Sequence, residues 1–333
     1  VNFTASHKPA AYNGIKFSGP HGGPALPGET RDIEAHLARL AGKRVKAGVG
    51  HTHGDVDSFE RISPRPAYLA RLGEIVNFDA IRKARVKIVC DVLHGCGAGY
   101  LDGALTENGI SCTTLRAERD VLFDGTGPDV SEENLAPLRE AVLRSGAQVG
   151  LATDGDADRF GILDADGTWI SPNHILALVY DFLVETRGWK MPAARSVATS
   201  HLMDAVARHH GTKVFQTPVG FKYIGELIQK GKIALGGEES AGLSIRGHVP
   251  EKDGILACLL VAEMIARRNQ TLGEQLKALF KRVGAEYWPL RTNLHLSQDV
   301  KARLVKRLEK NFRQFAGRRV KRADRTDGLK LEF

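Results

Sequence analysis

Cysteine, methionine and long apolar runs are scarce in this sequence. Its four cysteines, Cys90, Cys96, Cys112 and Cys258, include no Cys-x-x-Cys pair and are too few for a disulfide framework in 333 residues. They fit a reduced, cytoplasmic setting. The three methionines form no stripe. No apolar run approaches the roughly 18 residues that span a bilayer, and no signal-peptide pattern opens the chain, so no membrane partner is expected. An initiator Met is also missing. The sequence starts Val1-Asn2-Phe3 and stops at Leu331-Glu332-Phe333, and both ends are expected to cut through a larger protein.

An even spread of positive charge is absent as well. The chain carries 47 Lys+Arg against 39 Asp+Glu, net +8. Twelve of those basic and four of the acidic residues lie in 301–333, so the first 300 residues balance at 35 of each. A uniformly basic nucleic-acid channel is therefore disfavoured. What the chain does have is apolar content, 42%, which excludes a disordered tail and at this length calls for two or more domains.

Residues 1–75 look irregular, with Gly and Pro clustered between Gly19 and Gly28, a short polar helix pattern at Asp32–Leu40, a loop at His51–Pro64 and a connection at Ala67–Val76. From Val86 the pattern becomes α/β. Val86–Cys90 reads as a buried strand, a helix pattern runs to Asn108-Gly109, Ser131 opens a helix that ends near Gly146, and Gln148–Ala152 reads as a strand. After Ser171 the alternation restarts with helices at Ile175–Thr186, His201–His210, Phe221–Gln229 and Gly254–Ala266, and strands at Ser196–Thr199, Lys213–Phe215 and Lys232–Leu235. Two such units in succession predict duplicated domains of layered α/β architecture. A third unit would start with a strand at Tyr287–Leu294 and a basic amphipathic helix at Asp299–Phe315.

Three loops carry the chemistry. Asp154-Gly155-Asp156-Ala157-Asp158-Arg159 follows a strand, and three alternate carboxylates in a tight loop can converge on one hard cation. A solvated acidic turn is the commoner fate of such clusters, but α/β sites gather at the carboxyl ends of strands. An EF-hand is excluded, since Arg159 and Ala165 stand where its Gly and Glu would be. Thr4-Ala5-Ser6-His7-Lys8-Pro9 offers a hydroxyl beside His and Lys, a weak signal alone; Lys16 adds a cation able to face a phosphate. Gly236–Gly242, with Glu238 and Ser240, suits hydrogen bonds to sugar hydroxyls, although in isolation it reads as a polar turn. Thr217-Pro218-Val219-Gly220-Phe221-Lys222 and Glu251-Lys252-Asp253-Gly254 are further strand-to-helix and loop-to-helix junctions.

Taken together these loops resemble the α-D-phosphohexomutase superfamily. TASHKP with AYNGIK resembles its phosphoserine loop, Asp154–Arg159 its DGDGDR magnesium loop with Ala157 in place of Gly, and Gly237–Ser240 its GEES sugar loop. The resemblance implies an α/β fold of successive three-layer α/β/α domains with mixed sheets, followed by the start of a smaller C-terminal α+β domain. The implied division is 1–75 (end of domain I and linker), 76–171 (domain II), 172–286 (domain III) and 287–333 (start of domain IV).

It also implies a phosphoryl group on Ser6, Mg2+ held by Ser6, Asp154, Asp156 and Asp158, and catalytic roles for Ser6, His7, Lys16 and Arg159. Thr217, Gly220, Lys222, Glu238, Ser240 and Lys252 would bind the phosphosugar, and glucose 1,6-bisphosphate would prime the cycle in a monomer or homodimer. GEES with TPVGFK and EKDG looks most like phosphoglucomutase. The phosphomannomutase branch more often reads GEMSGH, and its histidine position is Gly242 here. Lys8 replaces the family's Asn, either binding phosphate or pointing to solvent. No segment matches the family's RxSGTEP-like phosphate loop, so these 333 residues alone are expected to turn over poorly.

Other readings remain open at this point. A phosphomannomutase or other phosphohexomutase uses the same loops. A Mg2+-dependent phosphatase would use the Asp loop with Ser6 dispensable, and a non-catalytic module could bring the basic C-terminal segment to nucleic acid, though that segment has no recognition motif. His51-Thr52-His53 lacks the partners of a metal site. His94-Gly95-Cys96-Gly97-Ala98-Gly99 fails the dinucleotide register at Tyr100 and reads as a glycine turn.

Overall fold

The computed structural model describes residues 1–43 and 60–333; His51-Thr52-His53 lies outside them. A two-stranded hairpin, β1 (Asn2–Phe3) and β2 (Ile15–Lys16), holds the Ser6 loop between its strands and is followed by α1 (Pro27–Leu40). Then come α2 (Arg65–Ile75), α3 (Phe78–Ala84), β3 (Ile88–Asp91), α4 (Leu101–Thr106), β4 (Cys112–Leu115), α5 (Ala136–Ser145), β5 (Val149–Thr153) and β6 (Phe160–Asp164). The next unit has α6 (Pro172–Arg187), β7 (Ala193–Ser196), α7 (Leu202–His209), β8 (Val214–Thr217), α8 (Phe221–Gln229), β9 (Leu235–Glu238), β10 (Gly242–Ile245), α9 (Gly254–Arg268) and α10 (Leu272–Val283). Last are α11 (Gln298–Leu308) and two small hairpins, β11 (Gln314–Phe315) with β12 (Arg318–Arg319), and β13 (Arg322–Asp324) with β14 (Lys330–Glu332).

The two central units repeat one topology. Their sheets run β4-β3-β5-β6 and β8-β7-β9-β10; in each the first three strands are parallel and the last returns antiparallel. The duplication expected from the element pattern is thus present in strand order. Helices cover both faces, so β3, β5, β7 and β9 are buried throughout, as parallel strands require. Helices α6 and α9 are apolar nearly all round for the same reason: Pro172–Val184 and Gly254–Ile265 are buried without a break. Each fully buried Leu or Ile among them contributes about 1.5–3 kcal/mol. Side chains fix where these helices begin. Ser171 accepts from Asn173 N with Pro172 in the first turn, Asp253 accepts from Leu256 N, and Thr271 with Glu274 forms a capping box on α10. One apolar core runs continuously from Leu72 to Phe280, and a small satellite of Ala194, Phe221, Ile224, Ile228 and Ile233 lies under α8.

Several expected elements moved. The helix expected from Ser131 starts at Ala136, because Ser131–Asn134 forms a turn and Pro137 suits only a first helical turn. The strands expected at Ser196–Thr199 and Lys232–Leu235 are β7 (Ala193–Ser196) and β9 (Leu235–Glu238). Small residues hide both strands from a propensity reading: a Cβ on Gly237 would sit 2.1 Å from Leu176 Cδ2, so the glycine is there to let α6 press on the sheet. Tyr287–Leu294 forms no strand. The helix expected to Phe315 ends at Leu308, and Gln314-Phe315 instead pairs with Arg318-Arg319 across Ala316 (φ 48°) and Gly317 (φ 76°), a two-residue turn with both central residues left-handed.

Candidate active site

The Asp loop is the β5–β6 turn, at the carboxyl end of a central strand. Asp154 N donates to Arg159 O (3.3 Å), and Asp154 Oδ1 accepts from Arg159 N (3.0 Å), which closes the loop on itself. Ala157 adopts φ 58° and is buried. That left-handed conformation explains why glycine suits this position; alanine accepts it at a modest cost.

Ligand atoms of Asp154, Asp156 and Asp158 all lie within 4.8 Å of one another. Asp156 Oδ1 and Asp158 Oδ1 are buried and have no hydrogen-bond partner in the protein. Orphaned buried carboxylate oxygens are rare unless something else satisfies them, and oxygen-only donors are what a hard divalent cation takes. The residues fit Mg2+. Burial, then the neighbouring charges of Asp158 and Asp156, push Asp154 well above the usual carboxylate range. Burial acts the same way on Asp156, but the Lys16 hydrogen bond and charge, with Thr4, outweigh it and hold that carboxyl below its ordinary value.

The β1–β2 hairpin lays its loop over this cup. Thr4 Oγ1 donates to Asp156 Oδ2 (3.0 Å), and Lys16 Nζ donates to Asp156 Oδ2 (2.8 Å) and Asp158 Oδ2 (3.2 Å). Ser6, held at φ 55° with its N–H on Thr4 Oγ1 (2.8 Å), places Oγ 3.5 Å from Asp154 Oδ2 and 3.3 Å from His7 Nδ1. A left-handed serine is uncommon, and such strain gathers at functional sites. Burial, then the Arg159 charge, lowers the His7 pKa, which favours the neutral ring. Arg159 Nε is buried 4.0 Å from Asp154 and 3.8 Å from Asp158, with no hydrogen bond to either. Lys8 is exposed.

The second central unit closes the other side. Arg159 bridges Gly242, and Phe160 N donates to Ala241 O (3.2 Å), which straps the turn between β9 and β10 to the Asp loop. Glu238 is the last residue of β9 and is buried. It accepts from Gly220 N (2.7 Å), joining the Thr217–Lys222 junction to this turn, and burial raises its pKa. Ser240 sits half-buried in the turn itself. Lys252 Nζ donates to Asp158 Oδ2. Lys222 lies over the Tyr223 ring (5.2 Å), and the Thr217 hydroxyl donates to the Pro218 carbonyl (2.9 Å).

Ser6, His7, Lys16, the three aspartates, Arg159 and Lys252 therefore share one cluster, with Glu238, Ser240 and Gly220 beside it. Thr4, Glu251, Tyr68, His248 and Asp253 were not singled out from sequence. A cavity of about 460 Å3 between the hairpin and the Glu251–Asp253 loop is lined by all five. Only Thr4 and the EKDG residues stood inside recognisable motifs.

Residues 1–43, 66–167 and 171–283 match α/β/α domains I, II and III of the family described as phosphoglucomutase/phosphomannomutase. A phosphoglucomutase/phosphomannomutase of Thermococcus kodakarensis is 30% identical over 99% of this chain and 69% of its own length. A phosphoglucomutase of Komagataeibacter xylinus is 32% identical over 86% of this chain and 55% of its own. The crystal structure of a Thermus thermophilus protein described as a phosphomannomutase superposes with a TM-score of 0.81 at 31% identity, covering 99% of this chain and 69% of that one. Other matching relatives are named phosphoglucosamine mutase.

Proposed function

Because the chain belongs to the phosphoglucomutase/phosphomannomutase family of α-D-phosphohexomutases, whose members are isomerases acting as intramolecular phosphotransferases, we propose that it carries a phosphohexomutase centre that interconverts glucose 1-phosphate and glucose 6-phosphate. The observation that carries this reading is the approach of Ser6 Oγ to Asp154 across 148 residues of sequence, under a cup of three carboxylates and two lysines.

A phosphoryl group on Ser6 would pass to a sugar hydroxyl: the bond from Ser6 Oγ to phosphorus breaks, the bond from the sugar oxygen to phosphorus forms, the hydroxyl gives up its proton, and Ser6 Oγ gains one to leave as a hydroxyl. The product is a 1,6-bisphosphate. Its other phosphate returns to Ser6 after the sugar turns over in place. Glucose 1,6-bisphosphate would prime an unphosphorylated enzyme.

His7, with Nδ1 3.3 Å from Ser6 Oγ, can exchange the proton that moves there. Lys16 and Arg159 balance the phosphoryl charge. Asp154, Asp156 and Asp158, with an oxygen of the Ser6 phosphate, would hold Mg2+, which supplies further charge neutralisation when bound. Glu238 and Ser240 would receive sugar hydroxyls, with Thr217, Gly220, Lys222 and Lys252 around the phosphosugar. Glucose is preferred over mannose on the GEES, TPVGFK and EKDG resemblance. The four domains assigned from sequence, and slow turnover by these 333 residues alone, belong to the same reading. All four cysteines are free, and no described helix is long and apolar enough to cross a membrane.

The test is a coupled assay on the protein that carries this chain, with Mg2+ and glucose 1,6-bisphosphate, comparing glucose, mannose and glucosamine phosphates side by side. Glucose 1-phosphate should be converted fastest, and Ser6→Ala should abolish conversion. Release of free phosphate with Ser6 dispensable would replace the mutase by a phosphatase.

A further inference from the structure

Lys252 is a flexible side chain held in one place. Its ammonium reaches Asp158 Oδ2, and its side chain is 14% exposed. Its stem crosses Gly242: a Cβ built there would fall 2.4 Å from Lys252 Cδ and 2.7 Å from Cγ, so any larger residue at 242 would displace it. The next residue, Asp253, collects an unusual number of donors. Its Oδ1 accepts from Leu256 N (2.8 Å) and caps α9. The Tyr68 hydroxyl straddles both oxygens at 2.9 and 2.8 Å, and His248 Nε2 lies 2.8 Å from Oδ2. The Asp253 N–H is tied to Leu243 O on β10 (2.9 Å).

A helix cap needs one acceptor and one backbone N–H. Here two further side chains converge on it, one from α2, 185 residues earlier in the sequence. The His248 side chain is only 2% exposed, and Tyr68 packs against Tyr100 and His248 with ring centroids 5.9 and 6.5 Å apart. A buried donor is destabilising unless satisfied; the buried His248 Nε2 and the half-buried Tyr68 hydroxyl are both met by Asp253, immediately beside Lys252, while His248 Nδ1 has no partner in the protein.

We propose that Tyr68, Asp253 and His248 form a positioning network that fixes Lys252 against the metal loop, tying α2, β10 and α9 to one point of the site. The activity part of the test rests on the phosphohexomutase reading; the labelling part does not. Tyr68→Phe keeps the ring and removes the donor. Competitive acylation of lysines by acetic anhydride, read by mass spectrometry, should show labelling of Lys252 rising several-fold in Tyr68→Phe, with Lys301 on α11 unchanged. In the coupled assay kcat should fall about tenfold, as for loss of a hydrogen bond to a charged group. In a Lys252→Met background the same substitution should cost less than about twofold, because the two act through one element.

Unchanged labelling of Lys252, or an equal loss in both backgrounds, would overturn the proposal. If the unaltered protein shows no mutase activity while Lys252 labelling rises as stated, the network stands and the functional reading falls. Should Tyr68→Phe fail to fold, His248→Gln and His248→Leu give the same comparison. Gln keeps a donor toward Asp253 and should protect Lys252 from labelling better than Leu; equal labelling in the two would count against the network.

Discussion

Replacing Gly254 by alanine should pry the metal loop away from α9. Gly254 is the first residue of that helix, and its N–H donates to Ala157 O (3.0 Å) inside the Asp loop. A Cβ there would fall 2.3 Å from Arg159 O, 2.6 Å from Arg159 C and 2.9 Å from Ala157 O. All three neighbours are backbone, so no rotamer change relieves the overlap, and ordinary carbon–oxygen contact requires a retreat of about 1 Å. The helix cannot supply it, because Gly254–Ile265 is buried on every side. The Asp loop must give instead. Overpacking costs about 1–3 kcal/mol and the lost hydrogen bond about 1 kcal/mol, so the variant should be destabilised by about 2–4 kcal/mol. For a chain of 333 residues melting together that corresponds to a melting temperature lower by roughly 3–6 °C. Because the displaced loop holds the three carboxylates, Mg2+ affinity by calorimetry should fall as well. Gly73→Ala on α2, where an added Cβ meets nothing within 4 Å, is the control; it should be neutral or stabilising by up to about 1 kcal/mol. If Gly254→Ala melted within about 2 °C of the unaltered protein and bound Mg2+ equally well, the close contact between α9 and the metal loop would be refuted.

Three further outcomes can be checked. Asp156→Asn should weaken Mg2+ binding at least about tenfold and remove the melting shift that Mg2+ produces; unchanged affinity would contradict the three-carboxylate cup. Arg116→Met strands Asp91, which is fully buried and held by Arg116 Nε at 3.0 Å, so denaturant unfolding should show a loss of about 3–5 kcal/mol. Burial pulls Asp204 upward, but hydrogen bonds from His201 and Arg195, with the Arg195 charge, outweigh it and hold its pKa at about 2. A depressed carboxylate stabilises above its unfolded value of about 4 and loses that contribution as pH falls toward 2. The contribution is about 1 kcal/mol after solvent screening. Stability of the unaltered protein should therefore drop across pH 4 to 2, and Asp204→Asn should flatten that slope; parallel slopes would contradict the assignment.

The parts of the site that were legible in sequence are those where local chemistry dictates local structure. Phe221–Gln229 reads as a helix from its apolar spacing and forms one with those bounds. The Asp loop announces itself by three alternate carboxylates after a strand. The return strands β6 and β10 were not read, because Phe160–Asp164 and Gly242–Ile245 are short and their pairing is set by β5 and β9 rather than by their own composition. In sequence Glu238 looks like a loop residue because two glycines precede it; Gly237 makes room for Leu176 of α6 and Gly236 for Ile224 of α8, which no local pattern encodes. His94–Gly99 reads as a glycine turn, and it forms the turn between β3 and α4, with Cys96 N on Gly155 O (3.0 Å) supporting the Asp loop. Tyr68 and His248 carry no motif signal. They matter only because folding brings α2 and the loop before α9 to the same carboxylate.

In the proposed reaction Ser6 carries the phosphoryl group that the sugar exchanges. Incubation with Mg2+ and glucose 1,6-bisphosphate bearing radioactive phosphate, followed by peptide mapping, tests it directly. Label should appear on Ser6, pass to added glucose 6-phosphate, and be absent from Ser6→Ala. Label confined to another residue, or conversion of glucose 1-phosphate while Ser6 stays unlabelled, would contradict it.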